Sequence, residues 1–155
     1  MATITTYDFN DGKGPVPAHK HKNGGGWVAD TATVSDTAYV GRDARVSGDT
    51  KVFGKARVNG KAKVSGAAKV SGDALVYGIA RIYGNAKVSG DACVSGNAKV
   101  SGDAKVFGDA KVFGDAKVFG DAKVSGNSEV YDNAWVFGDA WVSGDAEVSG
   151  NMLIK

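Results

Sequence analysis

Hydrophobic residues recur along this chain with a period of six. From Val28 to Ile154 every sixth residue is Val or Ile, which makes 22 positions without an insertion or a deletion. The residue two places before each of these Val or Ile residues is small and usually Ala. Two places after most of these Val or Ile residues comes Gly, which Asp or Asn follows. Thr50, Ser128 and Met152 interrupt the run of small residues. A period this regular indicates one structural unit repeated throughout.

The period excludes a helix and favours short strands. Six residues turn a helix by about 600°, so successive valines would point in three directions, and a Gly in each unit would cost about 1 kcal/mol relative to Ala. On a strand, the unit Ala-Lys-Val-Phe places Ala and Val on one side and Lys and Phe on the other. The following Gly-Asp or Gly-Asn supplies a bend. The pattern therefore predicts strands joined by corners, as in a β-solenoid.

The unit Val-x-Gly-(Asp/Asn)-Ala-x resembles the hexapeptide repeat of left-handed β-helix proteins, in which an aliphatic and a small residue fill a triangular prism. The resemblance covers residues 27–155. It implies an all-β fold, a left-handed parallel β-helix, that is, a triangular solenoid of about seven coils of about 18 residues. At about 4.8 Å between paired strands, such a rod is roughly 34 Å long. The left hand is implied by the resemblance alone.

Residues 1–26 precede the repeat and form a separate segment. Turn residues are dense in it, and neither a strand period nor a helix period lasts. Because a solenoid exposes its apolar interior at each end, the first coil needs a cover. We expect four apolar residues to provide it, Ile4, Tyr7, Phe9 and Val16. The sequence therefore predicts two parts, a short irregular N-terminal cap in residues 1–26 and the β-helix in residues 27–155.

Composition changes this picture little. The chain has 155 residues with 23 Gly and 2 Pro, and its formal net charge of +2 does not favour a nucleic-acid binder. No basic region followed by an apolar run marks the N-terminus, and no stretch approaches the roughly 20 apolar residues of a membrane span. The single Cys excludes an intramolecular disulfide. We expect a cytoplasmic protein without a cofactor, a metal or a membrane partner.

A coil made of three repeats sorts the outward residue before each Val onto three faces. The first face carries Trp27, Arg45, Lys63, Arg81, Lys99, Lys117 and Trp135. The second face carries Thr33, Lys51, Lys69, Lys87, Lys105, Lys123 and Trp141. The third face carries Tyr39, Arg57, Leu75, Cys93, Lys111, Glu129 and Glu147. Stacked like charges repel, so we expect the Asp residues at the corners to pair with the lysines.

The alternative to a solvated, salt-paired surface is an anionic partner, such as a nucleotide, a glycan or an acidic protein. Three phenylalanines follow successive valines and ring one coil among the lysines. The predicted ligand-binding set is Lys99, Lys105, Lys111, Lys117, Lys123, Phe107, Phe113 and Phe119. A competing interpretation of the phenylalanines is that they stack between coils at the corners.

The third face is the candidate for self-association. Over adjacent coils it carries Leu75, Tyr77, Ile79 and Cys93, where the other faces carry Lys, Asp and Ser. Contiguous outward apolar residues usually mark an interface, and Trp135 and Trp141 add aromatic surface. The predicted self-association set is therefore Leu75, Tyr77, Ile79, Cys93, Trp135 and Trp141. A dimer or a cyclic trimer along this face would remove the patch from water.

Many hexapeptide β-helix proteins are acyltransferases, so the resemblance makes an acyl-CoA-dependent enzyme the alternative function. In those families a catalytic His lies on or near the helix, and loops interrupt the coils. Here the two histidines, His19 and His21, lie in the cap, and no loop interrupts the repeat. No catalytic residue is predicted, because a general base needs a positioned titratable group. We interpret His19-Lys-His21 as a flexible basic loop, since no Cys or carboxylate cluster completes a metal site.

The segment from Tyr7 to His19 and the junction from Gly25 to Ala32 are similar to uncharacterised hexapeptide-repeat proteins of phages and prophages. That resemblance implies a phage or prophage origin and no established activity. The sequence favours a non-catalytic, rigid binding or assembly module that self-associates and presents its Lys and aromatic faces to an anionic ligand or a host protein. A host-defence antagonist or a signal sponge in the host cytoplasm fits this description, and a component of the virion is the other option.

Overall fold

The computed structural model describes residues 3–155 and contains no helix within them. From Trp27 onward the chain winds into a parallel β-solenoid of seven coils bounded by three parallel sheets. Each residue of one coil pairs with the residue 18 positions later, as Trp27 does with Arg45. Coil 1 begins at Trp27 and coil 7 at Trp135. The predicted all-β solenoid of about seven coils is confirmed, and its left-handed winding stays a prediction.

Strands are numbered in chain order, and every third solenoid strand belongs to the same face. Two strands precede the solenoid, β1 (Thr6–Asp8) and β2 (Pro15–Lys20). The first face contains β3 (Trp27–Ala29), β6 (Arg45–Val46), β9 (Lys63–Val64), β12 (Arg81–Ile82), β15 (Lys99–Val100), β18 (Lys117–Val118), β21 (Trp135–Val136) and β24 (Leu153–Ile154).

The other two faces have seven strands each. The second face contains β4 (Thr33–Val34), β7 (Lys51–Val52), β10 (Lys69–Val70), β13 (Lys87–Val88), β16 (Lys105–Val106), β19 (Lys123–Val124) and β22 (Trp141–Val142). The third face contains β5 (Tyr39–Val40), β8 (Arg57–Val58), β11 (Leu75–Val76), β14 (Cys93–Val94), β17 (Lys111–Val112), β20 (Glu129–Val130) and β23 (Glu147–Val148).

The interior consists of the residues that the period of six selects. Val106 pairs in register with Val88 and Val124 of the adjacent coils and has no exposed surface. Full burial of a Val side chain contributes about 1.5–3 kcal/mol, and the same contribution recurs at each step along the rod. Val34 and Ile154, in the first and last turns, are only partly buried because a neighbouring coil lies on one side alone.

From Gly48 onward the corners depend on backbone with positive φ. Gly102 has φ +66°, and Asp132, which replaces Gly in one repeat, has φ +56°. A residue without a Cβ atom reaches this region freely, whereas a side chain there costs free energy. The corner also supports the ladder between coils, because the Asp103 N–H donates to the Gly120 carbonyl at 2.9 Å. These bonds satisfy backbone groups that the narrow interior could not solvate.

Two buried hydroxyls replace inward Ala without loss of hydrogen bonding. Thr50 Oγ1 donates to the Ser47 carbonyl at 2.7 Å, and Ser128 Oγ donates to the Ser125 carbonyl at 2.7 Å. Both side chains are fully buried. Within residues 3–155, no buried side-chain nitrogen or oxygen lacks a hydrogen-bond partner. The interior therefore accommodates these departures from the repeat.

The segment before the solenoid is a β-hairpin, which corrects the prediction of an irregular cap. Strand β1 pairs antiparallel with β2, and β2 pairs antiparallel with β3, so the hairpin extends the first-face sheet. Phe9 is 4% exposed and forms a small buried cluster with Ala18 and Ala29. Tyr7 stacks on Trp27, with their ring centroids 4.5 Å apart.

Three of the four residues expected to form the cover contribute to this cluster. Phe9 belongs to it, and the partly buried Tyr7 and Val16 pack against it. The fourth, Ile4, is 72% exposed and lies outside it. The strand pattern is hard to read from the sequence because β1 has only three residues and β2 contains Pro15 and Pro17, which are unusual inside sheets.

The chain between β2 and β3 covers the third-face edge of coil 1. The Gly26 N–H donates to the Val40 carbonyl at 2.9 Å, and the Val40 N–H donates to the Asn23 carbonyl at 3.0 Å. His21 is 5% exposed, and its Nε2 donates to the Ala38 carbonyl at 3.0 Å. The segment therefore pairs with the open edge of the first coil and shields part of its interior.

Candidate functional site

The first and second faces each carry an axial groove between two columns of side chains. The residues on either side of an inward Ala both point outward, as Asp115 and Lys117 do around the buried Ala116. One column consists of corner residues and the other of strand residues, and Ala and backbone form the floor between them. Because the coils are in strict register, the columns run along the rod.

The first-face groove is the more positive of two large grooves. It has a volume of about 720 Å³. Its strand wall consists of Arg81, Lys99, Lys117, Trp135 and Leu153. Its corner wall consists of Ile79, Asn97, Asp115, Asn133 and Asn151. Three cations thus face one carboxylate and three amides.

The second-face groove has nearly balanced charge. Its volume is about 640 Å³. Its strand wall consists of Lys69, Lys87, Lys105 and Lys123. Its corner wall consists of Ala67, Asn85, Asp103, Asp121 and Asp139. Four cations here face three carboxylates, so this groove attracts an anion less strongly than the first-face groove does.

The expected pairing of the lysines with corner Asp residues is wrong. Among the described residues, the contacts within 4.0 Å between opposite charges are His19–Asp30, Lys22–Asp36 and Lys111–Glu129. None of them involves a first- or second-face lysine. The corner residue and the strand residue stand on opposite walls of a groove, which keeps their charged ends apart. The lysines of both grooves are therefore available to an external anion.

Lys111, on the third face, is engaged by a carboxylate of the next coil. Its Nζ donates to Glu129 Oε1 at 3.0 Å. This hydrogen bond, followed by the charge of Glu129, raises the pKa of Lys111. In the same way, the hydrogen bond from Lys22 lowers the pKa of Asp36 near the hairpin. Lys111 thus differs from the other lysines of the predicted ligand-binding set.

The structure divides the predicted ligand-binding lysines among three faces. Lys99 and Lys117 lie together in the first-face groove, and Lys105 and Lys123 lie together in the second-face groove. Lys111 belongs to neither. Sequence reasoning did not single out Arg81 or the amides of the first-face groove. The signal for those amides was available, because Asn replaces Asp most often in this corner column, at positions 97, 133 and 151.

The phenylalanines of the predicted set lie at three different corners, and two of them stack between coils. Phe113 stacks on Tyr131 with ring centroids 5.0 Å apart, and Phe119 stacks on Phe137 at 5.3 Å. Such pairs contribute about 0.5–1.5 kcal/mol beyond the buried area. Phe107 has Ser residues at the equivalent positions of the adjacent coils. The competing interpretation, stacking at the corners, therefore describes the geometry of Phe113 and Phe119.

The two C-terminal tryptophans lie on separate faces, each beside a lysine of the preceding coil. Lys117 Nζ lies 4.4 Å from the ring centroid of Trp135, and Lys123 Nζ lies 5.7 Å from that of Trp141. The Trp141 indole N–H also donates to Ser125 Oγ at 3.1 Å. Each contact has cation–π geometry, so both tryptophans border the basic grooves rather than the third face.

The remaining four residues of the predicted self-association set lie together, and we name them the third-face patch: Leu75, Tyr77, Ile79 and Cys93. The exposed fractions of the first three are 38%, 44% and 52%. Leu75 pairs in register with Cys93. Ile79 lies at the corner and also lines the first-face groove. The patch occupies coils 3 and 4, near the middle of the rod.

The histidines are fixed in the N-terminal hairpin and its connection to the solenoid. His19 belongs to β2 and its Nδ1 lies 2.7 Å from Asp30 Oδ1. His21 is buried against the Ala38 carbonyl. The interpretation of this stretch as a flexible basic loop is therefore wrong, because β-pairing and burial hold it in place. Residues 3–155 contain no group of three or more His, Cys, Asp or Glu residues that could hold a metal ion.

A family model described as the YdcK β-solenoid repeat matches residues 80–96, which include strands of coil 4. Neither curated proteins nor solved structures give a match. The match and the fold agree that the chain is a β-solenoid repeat protein. In the part of the chain that the structure describes, no helix has the length and apolarity needed to cross a membrane.

Proposed function

We propose that this protein is a non-catalytic, rigid binding module whose first-face groove takes an elongated anionic ligand. The observation that carries the proposal is the column of Arg81, Lys99 and Lys117, which forms no ion pair among the described residues and faces a corner wall with the single carboxylate Asp115. Cations that no carboxylate neutralises attract an anion most strongly where they line one groove, because their potentials add.

The spacing of the cations supports a ligand with several negative charges along its length. Arg81, Lys99 and Lys117 are in register on successive strands, so they are about 4.8 Å apart and span roughly 10 Å. Asn133 and Asn151 on the opposite wall supply further amide donors, whereas the Asn97 amide already donates to Asp115 Oδ1 at 2.9 Å. A linear oligoanion satisfies these groups together, whereas a single small anion contacts only one or two of them.

The rigidity of the rod supports binding with little cost for ordering the backbone. Every coil is joined to the next by backbone hydrogen bonds, such as that from the Lys99 N–H to the Ala116 carbonyl at 3.0 Å. The floor of the groove is therefore positioned before the ligand arrives, and only the long basic side chains lose freedom. Preorganisation of this kind improves affinity by lowering the entropic cost of association.

Calorimetric titration with a heparin hexasaccharide tests the proposal. The double variant Lys99→Gln/Lys117→Gln should bind about tenfold more weakly, since each exposed ion contact contributes up to about 1 kcal/mol. The matched control is Lys105→Gln/Lys123→Gln, which makes the same change in net charge on the second face and should bind within about twofold of wild type. Equal losses in both variants, or no binding by wild type at low salt, would refute the groove assignment.

Origin and family belong to the proposal as well. We propose that the chain is a left-handed hexapeptide-repeat protein encoded by a phage or prophage, because the segment from Tyr7 to His19 and the repeat itself resemble such proteins. In that setting the anionic ligand is a host signal or an acidic host protein, and the protein acts in the host cytoplasm as a signal sponge or a host-defence antagonist. Self-association along the third face completes the proposed module.

The alternative, a minimal acyltransferase that uses acyl-CoA, is tested by activity rather than by binding, since CoA is itself an anion. Release of free CoA thiol from acetyl-CoA in the presence of amine acceptors would establish the alternative. Loss of this release on substitution of His19 or His21 would assign the catalytic group to the N-terminal hairpin or its connection to the solenoid. The binding proposal expects no release above the uncatalysed rate.

A further inference from the structure

The third face carries opposite charge at its two ends. Its basic end lies in coil 2 and consists of Lys55 and Arg57. Its acidic end lies in coils 6 and 7 and consists of Glu129, Asp145 and Glu147. Neither of the other faces shows this division, because lysines or arginines occupy most of their strand positions. The third face is therefore polarised along the rod.

The apolar surface of this face lies between the charged ends. The third-face patch occupies coils 3 and 4. Coil 5 adds the partly buried Phe113 and also Lys111, whose charge is held in an ion pair with Glu129. Exposed apolar residues bordered by charged residues are typical of a protein interface. An apolar middle with a basic end and an acidic end is complementary to itself when one copy is reversed.

We propose that two copies of this chain pack third face to third face with their rods antiparallel and the two-fold axis at coil 4, beside Cys93. In this register coil 2 of one copy lies on coil 6 of the other, so Arg57 meets Glu129. Coil 3 lies on coil 5, so Tyr77 meets Phe113. Each pair occurs twice, as a two-fold axis requires. The inference rests on the self-association part of the proposed function and does not depend on anion binding.

The area of the face favours full overlap and excludes offsets of two coils or more. A face about 34 Å long and about 17 Å wide offers roughly 600 Å² per copy, or about 1,200 Å² in total. A specific interface needs about 1,000 Å². An offset of two coils reduces the total to roughly 850 Å², below that threshold. Full overlap places the middle of seven coils on the axis, and the third-face residue of coil 4 is Cys93.

Charge selects the antiparallel direction. In a parallel dimer, Arg57 of one copy lies beside Arg57 of the other, and Glu147 lies beside Glu147. Like charges across an interface are unfavourable, whereas opposite charges determine register and orientation. The acidic corner column of Asp73, Asp91 and Asp109 meets its own copy along one rim of the face. These like charges oppose the pairing, and water and salt screen them at the rim.

Sedimentation velocity of the full chain tests the dimer. Wild type should sediment as a dimer, and Tyr77→Lys should weaken dimerisation at least about tenfold by placing a charge in the apolar centre. The matched control is Tyr83→Lys, because Tyr83 is 41% exposed against 44% for Tyr77 but lies on the first face. The control should remain a dimer. A monomeric wild type would overturn the inference and leave the anion-binding groove unaffected.

Two further measurements test the register. Mild oxidation of wild type with diamide should give a dimer linked through Cys93, which reducing agent separates and Cys93→Ser abolishes. Arg57→Glu alone should weaken dimerisation about tenfold. The triple variant Arg57→Glu/Lys111→Glu/Glu129→Arg should restore it, since the charges are exchanged across the interface and the ion pair between positions 111 and 129 is kept. A dimer that neither cross-links at Cys93 nor recovers in the triple variant would overturn the antiparallel register and retain self-association.

Discussion

A Cβ atom on Gly102 would lie 2.9 Å from the backbone nitrogen of Gly120 in the next coil. The corners are therefore stacked so closely that the glycine serves two purposes. It supplies a φ of +66°, and it leaves room for the backbone of its neighbour. The second purpose does not apply at Gly150. This residue has φ +65°, but a Cβ atom on it would have no other atom within 4 Å.

Gly102→Ala and Gly150→Ala separate these two effects. Both variants place a side chain at positive φ, which costs about 1–2 kcal/mol. Only Gly102→Ala also forces the next corner to move, which costs about 1–3 kcal/mol more. Urea unfolding should therefore show the larger loss for Gly102→Ala. Equal losses would mean that the corners relax without cost.

Val106→Asp should destabilise the protein by more than about 4 kcal/mol, because it buries a charge with no partner between two valines. Lys105→Asp, one residue earlier and pointing outward, is the control and should stay within about 1 kcal/mol of wild type. Thermal melting followed by circular dichroism measures both variants. A mild effect of Val106→Asp would contradict the inward position of that side chain.

Exchange of Ala and Ser at the small inward position should be tolerated. Ser128→Ala removes a hydrogen bond to the Ser125 carbonyl, but the backbone N–H of residue 128 still donates to that carbonyl. We expect a change in unfolding free energy of less than about 1 kcal/mol. Ala110→Ser, one coil earlier, should be equally mild because its hydroxyl can donate to the Phe107 carbonyl. If either variant loses much more unfolding free energy than one ordinary hydrogen bond contributes, the interior cannot adapt to the exchange.

Phe9→Ala should loosen the hairpin without unfolding the rod. Phe9 is 4% exposed within a cluster separate from the solenoid interior. Local units with few buried contacts open before the global structure does, so hydrogen exchange should accelerate in residues 4–20 and stay slow in coils 3–6. Ile4→Ala, at a site 72% exposed, is the control and should change nothing. Acceleration in the central coils would show that the hairpin and the rod unfold together.

The solenoid could be predicted residue by residue because a single physical rule applies at every coil. Val106 must point inward if Val88 does, since every third repeat returns the chain to the same face. The hairpin follows no such rule. Its strands depend on pairing with β3, and Pro17 within β2 conceals them from any local pattern.

The candidate groove was only partly predictable. Lys99 and Lys117 stood out in the sequence because they repeat, yet their repetition also predicted ion pairs with the Asp residues at the corners. Whether a lysine meets a carboxylate depends on the separation of the groove walls, which periodicity does not specify. The third-face patch was more visible, because Leu75 and Cys93 break a pattern that otherwise calls for charge.

The strict register of the coils has a consequence for how such a chain changes in evolution. The near-identical units between Gly102 and Gly120 favour slippage during DNA replication, which adds or removes repeats. Gain or loss of a whole coil would lengthen or shorten the rod and leave every face intact. Gain or loss of a single repeat would preserve the interior but rotate all later residues by one face, so that the acidic end now on the third face would appear on another. Selection that preserves a binding surface would therefore retain gains and losses of three repeats and remove gains and losses of one or two.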